Sequence, residues 1–289
     1  MILETKQPYD FRLSAGIMSG FDGEELCLPL RIKERAVLAL VRETGTTERP
    51  SLQAEIAAGD ALSNKDREQA CATVSRMLNL NMDLGDFYGS INDATLLRLT
   101  RALRGLKVIH TQSVLEALVC AITEQQISLA LAIRMEQRIS ERFGEPIDFG
   151  GKRHYVFPEP DRLISAEELK ACGLSTRKAE YIRDIAIAVR DGRIDPERFR
   201  SYERTEDIIE ELCELRGVGL WTAKMTVIRS MPRYDVFPAD DVGIRRCIAR
   251  YYFGGRRISA QEADSIANGW GPYKGLAAYY LVRATMLGL

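Results

Sequence analysis

Two glycines between two apolar helical segments restrict the fold of this chain more than any other feature. The first helical pattern ends at Leu215, the turn Gly217-Val218-Gly219 follows, and a second helical pattern begins near Leu220. Glycine adopts positive φ without steric cost and lets another backbone come close, so the turn is predicted to be tight. The amides at the start of the second helix favour a bound anion such as a phosphate. An ordinary helical hairpin is the alternative.

Two adjacent acids lie a short distance downstream. Asp240 and Asp241 follow a loop that contains Pro238 and precede another helical pattern. Adjacent positions do not share a helix face, so the two carboxylates are expected to have different roles. We expect one to cap the helix and the other to project into a cleft, with Asp240 as the cap or a solvated residue. Capping by both acids is the alternative.

The local patterns predict a mixed N-terminal region followed by helices. Apolar residues at 13–20 and 25–32 indicate strands on either side of a glycine-containing turn, and residues 64–78 indicate a helix. From about residue 89 the pattern is helical. Residues 149–160, rich in Gly and Pro, are predicted to be a loop. Further helix signals, of which the first two are capping boxes, begin at Ser113, Ser165, Ser175 and Asp207.

The overall net charge of −1 argues mildly against a nucleic-acid partner, but the charge is unevenly distributed. Residues 216–257 contain nine basic and three acidic residues, which gives this segment +6 and the rest of the chain −7. A basic segment at the glycine turn and the paired acids is typical of a nucleic-acid contact. A solvated helix face explains the same charges equally well.

Composition excludes several other classes. Apolar residues make up 46% of the chain, yet no apolar run approaches the roughly 20 residues of a membrane span. The N-terminus lacks the pattern of a signal peptide, so we expect an intracellular protein. Six cysteines are scattered without a close pair, and the two histidines, His110 and His154, have no acidic or Cys partner nearby. We therefore expect no metal site and reduced thiols.

The glycine turn and the paired acids together resemble the helix-hairpin-helix (HhH-GPD) superfamily of DNA glycosylases. The family hallmark, L-x-G-V-G-x-x-T-A followed by a Gly/Pro-containing loop and an essential Asp, is matched in order and separation. Residues 118–128 resemble the family's helix and loop against DNA. Residues 172–180 and 270–278 are similar to the alkyladenine branch, that of 3-methyladenine DNA glycosylase II. The similarity runs from about residue 90 to the end.

The resemblance implies a mainly α fold with a small N-terminal α+β domain. Residues 1–88 would form an antiparallel sheet with helices, and residues 89–289 the helical glycosylase core, in which two subdomains flank the active-site cleft. The implied partner is double-stranded DNA that contains damaged bases, bound by a monomer. We expect a cytoplasmic, nucleoid-associated protein in a prokaryote or a nuclear one in a eukaryote.

The resemblance also implies the catalytic roles. The essential Asp falls on Asp241, which would stabilise an oxocarbenium-like transition state. Family members that also cut the strand carry a Lys where this chain has Trp221, so the resemblance implies a monofunctional enzyme without abasic-site lyase activity. Lys224, one turn further on, is expected to be a phosphate contact or a solvated charge.

Further residues are carried over from the family as pocket and DNA contacts. Tyr273, Trp270 and Trp221 would line the base pocket, with core packing as an equal alternative for Tyr273 and Trp270. Gln126, or Ile127 beside it, would enter the gap that the flipped base leaves. Phosphate contacts are expected at Gly217, Gly219 and Thr222. The hairpin carbonyls would hold a monovalent cation, and no other cofactor is expected.

The substrate stays open within this framework. The first hypothesis is a glycosylase for alkylated purines, and the nearest variants act on uracil, hypoxanthine or 8-oxoguanine. The absence of Lys at position 221 argues against the usual 8-oxoguanine type. A second hypothesis is a non-catalytic DNA-binding module that uses the hairpin only for phosphates. A metal-dependent nuclease would need clustered acids or histidines, which the sequence lacks.

Overall fold

An antiparallel sheet forms the N-terminal part of the chain in the computed structural model, which describes residues 1–289. Its strands are β1 (Ile2–Leu3), β2 (Glu25–Ile32), β3 (Arg35–Glu43) and β4 (Leu52–Gly59), in the order β1-β4-β3-β2. Every second residue of β2, from Leu26 to Ile32, is buried, as the period of a strand requires. The buried side chains pack with those of α1 (Phe11–Ala15) and α2 (Asn64–Met77) in one hydrophobic cluster.

Two local predictions in these regions are wrong. Residues 13–20 do not form a strand, because Asp10 accepts the Leu13 amide at 2.8 Å and starts α1; a short apolar run does not distinguish helix from strand. Residues 149–160, predicted to be a loop, contain a strand, because β6 (Lys152–Val156) pairs with β5 (Glu145–Phe149). Gly150 and Gly151 have φ of 59° and 74°, so this Gly-Gly pair makes the tight hairpin turn.

The rest of the chain is helical, and the predicted mainly α fold class is confirmed. The remaining helices are α3 (Gly85–Ser90), α4 (Ala94–Ala102), α5 (Val114–Glu124), α6 (Leu129–Phe143), α7 (Ala166–Ala171), α8 (Thr176–Arg190), α9 (Thr205–Cys213), α10 (Leu220–Ser230), α11 (Val242–Tyr252), α12 (Ala260–Ala267) and α13 (Lys274–Met286). Short 3₁₀ helices span Pro160–Arg162, Pro196–Ser201 and Asn268–Tyr273. None of the helices has the length and apolar character needed to cross a bilayer.

The helix starts follow the predicted caps. Ser113, Ser165 and Ser175 each accept an amide of the first turn and begin α5, α7 and α8. Neither predicted capping box has its second hydrogen bond: Glu116 accepts the amide of Gln112 at 2.9 Å rather than that of Ser113, and Glu168 accepts Arg142 at 3.1 Å rather than the amide of Ser165. The signals at 64 and 207 also correspond to helices, α2 and α9.

Two hydrophobic clusters divide the helical part. The first contains side chains of α5 to α10, and the second contains side chains of α3, α4 and α11 to α13. The loop between α10 and α11 joins them, since Val236 packs in the first cluster and Phe237 in the second. The paired acids therefore lie at the junction of the clusters. Leu84 and Phe87 also pack in the second cluster, and the predicted domain boundary after residue 88 stays a prediction.

Candidate active site

Asp241 is the N-cap of α11, and both of its carboxylate oxygens accept hydrogen bonds. Oδ1 accepts the backbone amide of Ile244 at 2.7 Å, and Oδ2 accepts the indole Nε1–H of Trp221 at 2.9 Å. The two donors belong to different helices, so the carboxylate is fixed in orientation while its side chain stays half-buried. Asp240 is exposed and does not cap the helix, so the cap is the second acid.

The loop that carries Asp241 is tied to its surroundings through its backbone. The amide of Asp241 donates to the carbonyl of Pro238 at 2.9 Å, which turns the chain into α11. Lys224 of α10 donates its Nζ to the carbonyl of Phe237 at 2.9 Å. The amide of Gly275, at the start of α13, donates to the carbonyl of Tyr234 at 2.7 Å. The position of the Asp241 carboxylate is therefore set by α10 and α13 as well as by its own helix.

A series of buried hydrogen bonds stabilises the beginning of the same loop, at Tyr234. Tyr234 Oη accepts Nδ2 of Asn79 at 2.7 Å and lies 3.1 Å from Nε2 of His110. Because Asn79 uses the oxygen as an acceptor, the tyrosine hydroxyl donates to His110. Burial lowers the pKa of His110 to about 3, so its ring is neutral. His110 is thus a buried core residue that uses Nε2 for Tyr234 and leaves Nδ1 without a hydrogen-bond partner, and His154 is half-buried on β6.

The glycine turn between α9 and α10 has the geometry that its sequence predicts. Gly217 has φ of +90°, and a Cβ at this position would lie 2.2 Å from ring atoms of Tyr181. Gly219 is the N-cap of α10, is exposed, and offers the first-turn amides no side-chain acceptor. Unsatisfied amides and the positive end of the helix dipole make this terminus suited to an anion.

The side chain of Thr222 lies inside the protein rather than at the surface of the hairpin. It is 2% exposed, and its Oγ1 accepts Nε2 of Gln125 at 2.9 Å. The same Gln125 amide group donates to the carbonyl of Gly217 at 2.9 Å, and the amide of Val218 donates to the carbonyl of Leu215. The carbonyls of Gly217 and Leu215 thus already accept hydrogen bonds within the protein. The monovalent cation at the hairpin stays a prediction.

The predicted pocket aromatics occupy different environments. Trp221 is half-buried and contacts Asp241, whereas Trp270 is 5% exposed and packs edge-to-face on Phe237 with ring centroids 5.9 Å apart. Tyr273 is half-buried, with its ring 5.6 Å from that of Phe87. It borders a cavity of about 430 Å³ that neither Trp221 nor Asp241 lines. The structure therefore brings Trp221 to Asp241 directly and places Trp270 in the supporting core.

Sequence comparisons relate the chain to a known superfamily. The sequence model for HhH-GPD superfamily base excision DNA repair proteins matches residues 119–272. The DNA-3-methyladenine glycosylase of Bacillus subtilis is 30% identical over 220 residues, which are 75% of this chain and 72% of the relative. The chain belongs to the HhH-GPD superfamily of base excision DNA repair proteins. The predicted superfamily and branch are thereby confirmed, and the chain is a DNA glycosylase.

Solved structures extend the similarity over the whole chain. The 3-methyladenine DNA glycosylase of Archaeoglobus fulgidus has a TM-score of 0.86 and 26% identity, covering 99% of this chain and 98% of that one. The Schizosaccharomyces pombe 3-methyladenine DNA glycosylase, in complex with abasic DNA, has a TM-score of 0.58 and 26% identity over 68% of this chain and 94% of its own.

Several arginines of the basic segment 216–257 form ion pairs with acidic residues of the same chain. Arg229 pairs with Glu124 at 2.6 Å, and Arg216 pairs with Glu180 and Asp184 at 3.1 and 3.0 Å. The net charge of a segment therefore overstates the positive charge that it offers to DNA. The uncapped helix start at the exposed Gly219 indicates an anion site more specifically than the summed charge does.

Sequence reasoning missed two residues that contact the hairpin and the end of α5. Gln125 and Lys178 both lie in stretches that resemble the family, yet neither was assigned a role. Gln125 reaches the hairpin, and Lys178 reaches the C-terminal end of α5. Gln125 could have been found from its position next to Gln126, whereas no local signal marks Lys178, which reaches α5 from a distant segment. Gln126 itself has φ of +55° and an exposed side chain, whereas Ile127 is half-buried against the first cluster.

Proposed function

We propose that this glycosylase is monofunctional and hydrolyses the N-glycosidic bond of alkylated bases of the 3-methyladenine type. The base would be flipped out of double-stranded DNA, and the product would be an abasic site in an intact strand. The observation that carries the proposal is the Asp241 carboxylate, held by Trp221 and by the start of α11. The names of the relatives from Bacillus subtilis and Archaeoglobus fulgidus support the substrate class.

The proposed chemistry follows from the fixed negative charge. As the bond between the sugar C1′ and the base breaks, positive charge develops on the sugar, and the bonding electrons leave with the base. An oriented carboxylate stabilises this charge without having to reorganise during the reaction. Water then adds to C1′, and Asp241 orients it and accepts its proton. Alkylation makes the base a better leaving group, so electrostatic stabilisation suffices.

The absence of strand cleavage is proposed from two side chains. Trp221 occupies the position at which strand-cutting relatives carry a lysine, and indole nitrogen is no nucleophile. The nearby amine, Lys224 Nζ, donates to the carbonyl of Phe237 at 2.9 Å. This hydrogen bond holds the amine against the loop backbone, which supports a structural role rather than Schiff-base formation.

Selection of the base is proposed to use aromatic faces. An alkylated purine carries positive charge, and an aromatic ring attracts a cation to its face. Trp221 lies beside Asp241, whereas Tyr273 packs on Phe87 and borders a different cavity, so the proposed selection depends first on Trp221. Extrusion costs least for a weakly stacked, damaged base, which adds to the selection. We propose that the protein acts as a monomer on such duplexes.

Release of free bases tests the proposal directly. Duplex DNA treated with a methylating agent is incubated with the protein, and the released bases are separated and quantified. A parallel panel contains uracil, hypoxanthine or 8-oxoguanine in defined duplexes. We expect free 3-methyladenine, alkali-labile strands that stay intact at neutral pH, and no covalent complex after borohydride reduction. Release of another base alone would overturn the substrate class, and a trapped complex would overturn monofunctionality. Duplex binding without any release would indicate a non-catalytic module.

A further inference from the structure

The turn between α5 and α6, residues 125–128, presents a side chain to solvent from a strained backbone. Gln126 has φ of +55°, a conformation that only a few per cent of non-glycine residues adopt and that persists where the surroundings enforce it. Its side chain is exposed, whereas Ile127 packs against the first cluster. Ile127 therefore anchors the turn to the core, and Gln126 points into solvent.

Lys178, in the first turn of α8, holds the end of α5. Its Nζ donates to the carbonyl of Thr123 at 2.8 Å and to that of Gln125 at 2.6 Å. The last carbonyls of a helix lack partners within the helix, and a cation there also complements the dipole. Both hydrogen bonds lie immediately before Gln126, so they restrict the backbone at the point where it enters the strained conformation.

Gln125 links the same turn to the hairpin. Its side-chain amide donates to the carbonyl of Gly217 and to Oγ1 of Thr222, each at 2.9 Å. These acceptors lie on either side of Gly219, the uncapped start of α10. The exposed Gln126 and the amides suited to a phosphate are thus held at a fixed separation by one side chain.

We infer that Gln125 and Lys178 are positioning residues that preorganise Gln126 to enter the duplex gap left by the flipped base. The inference rests on the proposed function, because a gap in the duplex exists only if a base leaves the stack. Without the two sets of hydrogen bonds, the φ of Gln126 returns to the ordinary negative range. The Gln126 side chain then no longer lies at a fixed position relative to the DNA strand bound by the hairpin. Neither residue needs to touch the DNA.

The test uses a duplex that needs no catalysis. It carries a tetrahydrofuran abasic analogue with 2-aminopurine opposite, whose fluorescence rises when a side chain entering the gap disturbs its stacking. Gln125→Met removes the donor at similar size, and Gln126→Ala removes the exposed side chain. Residues in one network give non-additive effects, so the two changes are combined in a double-mutant cycle. Base release from methylated DNA is measured in parallel.

We expect Gln125→Met to weaken affinity about tenfold and to reduce the fluorescence rise, with KM raised more than kcat is lowered. In the Gln126→Ala background the same change has less than about a twofold effect. An equal loss in both backgrounds, or no loss in the native background, would overturn the inference. Lys178→Met is expected to act in the same direction and Lys178→Arg to restore the native behaviour, because arginine keeps charged donors. If Lys178→Arg failed to restore it, the role assigned to this amine would be wrong.

The outcomes separate the inference from the function on which it rests. Native protein that gives the fluorescence rise and the coupling, but releases no base, contradicts the glycosylase proposal and leaves the positioning role supported. Native protein that releases 3-methyladenine without coupling between residues 125 and 126 contradicts the positioning role alone. Melting temperatures of the variants show whether a loss comes from unfolding instead.

Discussion

The N-termini of α10 and α11 present the same backbone groups and use them in opposite ways. Helix α10 begins at Gly219 without a side-chain acceptor, and a Cβ at this glycine would meet nothing within 4 Å. Helix α11 begins at Asp241, whose Oδ1 accepts the Ile244 amide. One terminus is open to an anion from outside, and the other is filled by the chain's own carboxylate.

The two termini are also connected, because Trp221 in the first turn of α10 donates to Oδ2 of Asp241. An open positive terminus favours a phosphate, whereas a carboxylate favours a sugar that gains positive charge. The difference therefore explains how adjacent helix starts serve binding and chemistry separately. Changes that make one terminus resemble the other should separate these functions experimentally.

The largest expected effect on DNA affinity comes from giving α10 the cap that α11 has. Gly219 has φ of −93° and open space around it, so Gly219→Asp fits without strain. We expect a gain of a few tenths of a kcal/mol in the free energy of unfolding, as for other caps that replace glycine. Affinity for abasic DNA should fall by roughly 100-fold, because the carboxylate fills the phosphate position with like charge. Both quantities come from denaturant titration and fluorescence anisotropy.

The control for this change is Gly219→Asn, which adds a cap of the same shape without the charge. It should reproduce the gain in stability with a much smaller loss of affinity. If the aspartate and asparagine variants bound DNA as tightly as the native protein, α10 would not receive a phosphate and the contrast between the two termini would fail.

A smaller effect is expected when the connection between the termini is removed. Trp221→Phe keeps an aromatic face and loses the N–H that Asp241 Oδ2 accepts. We expect the single-turnover rate of base release to fall about tenfold, with affinity for abasic DNA nearly unchanged. A raised KM at an unchanged rate would instead show that the residue acts only as a wall of the base pocket.

The smallest effect is expected at the C-terminal end of α10. Partly buried charged residues pack there, unlike at the C-terminal end of α11. Arg229 in the last turn pairs with Glu124, and Glu136 of α6 lies close by, with burial raising its pKa to about 7. Helix α11 ends differently, with Arg250 donating to the carbonyl of Leu289 at the C-terminus.

The direction of the pH effect follows from the raised pKa of Glu136. The folded protein binds this proton more tightly than the unfolded chain, so the contribution is present at acidic pH and is lost as pH rises through about 7. Glu136→Gln should therefore stabilise the protein by about 1 kcal/mol at pH 8 and have little effect near the ordinary glutamate pKa. Thermal melts across this range measure it. The matched control is Glu141→Gln on the exposed face of α6, and an equal shift there would refute the assignment.

The features that sequence could predict are local ones. The hairpin turn follows from residue order within one segment, because a turn is encoded by neighbouring residues, whereas the roles of Asp241 and Trp221 were predicted from the family resemblance. The strand predicted at 13–20 was wrong because the prediction did not consider Asp10, which caps a helix that begins at Phe11.

The remaining features depend on contacts between distant segments. Asp240 and Asp241 could not be separated as caps without knowing where the loop enters α11. Burial of Trp270 depends on Phe237, and the role of Gln125 depends on Gly217, 92 positions away. Periodicity and motif spacing do not contain such information, because it arises only when the two helical clusters pack.

The account depends most on the negative charge of Asp241, and one variant tests it. Asp241→Asn keeps an oxygen for the Ile244 amide and hence the cap, but it removes the charge. Single-turnover release of 3-methyladenine from methylated duplex should fall by about 1000-fold, while affinity for a tetrahydrofuran duplex stays within about threefold. Release by the asparagine variant at the native rate would contradict the account.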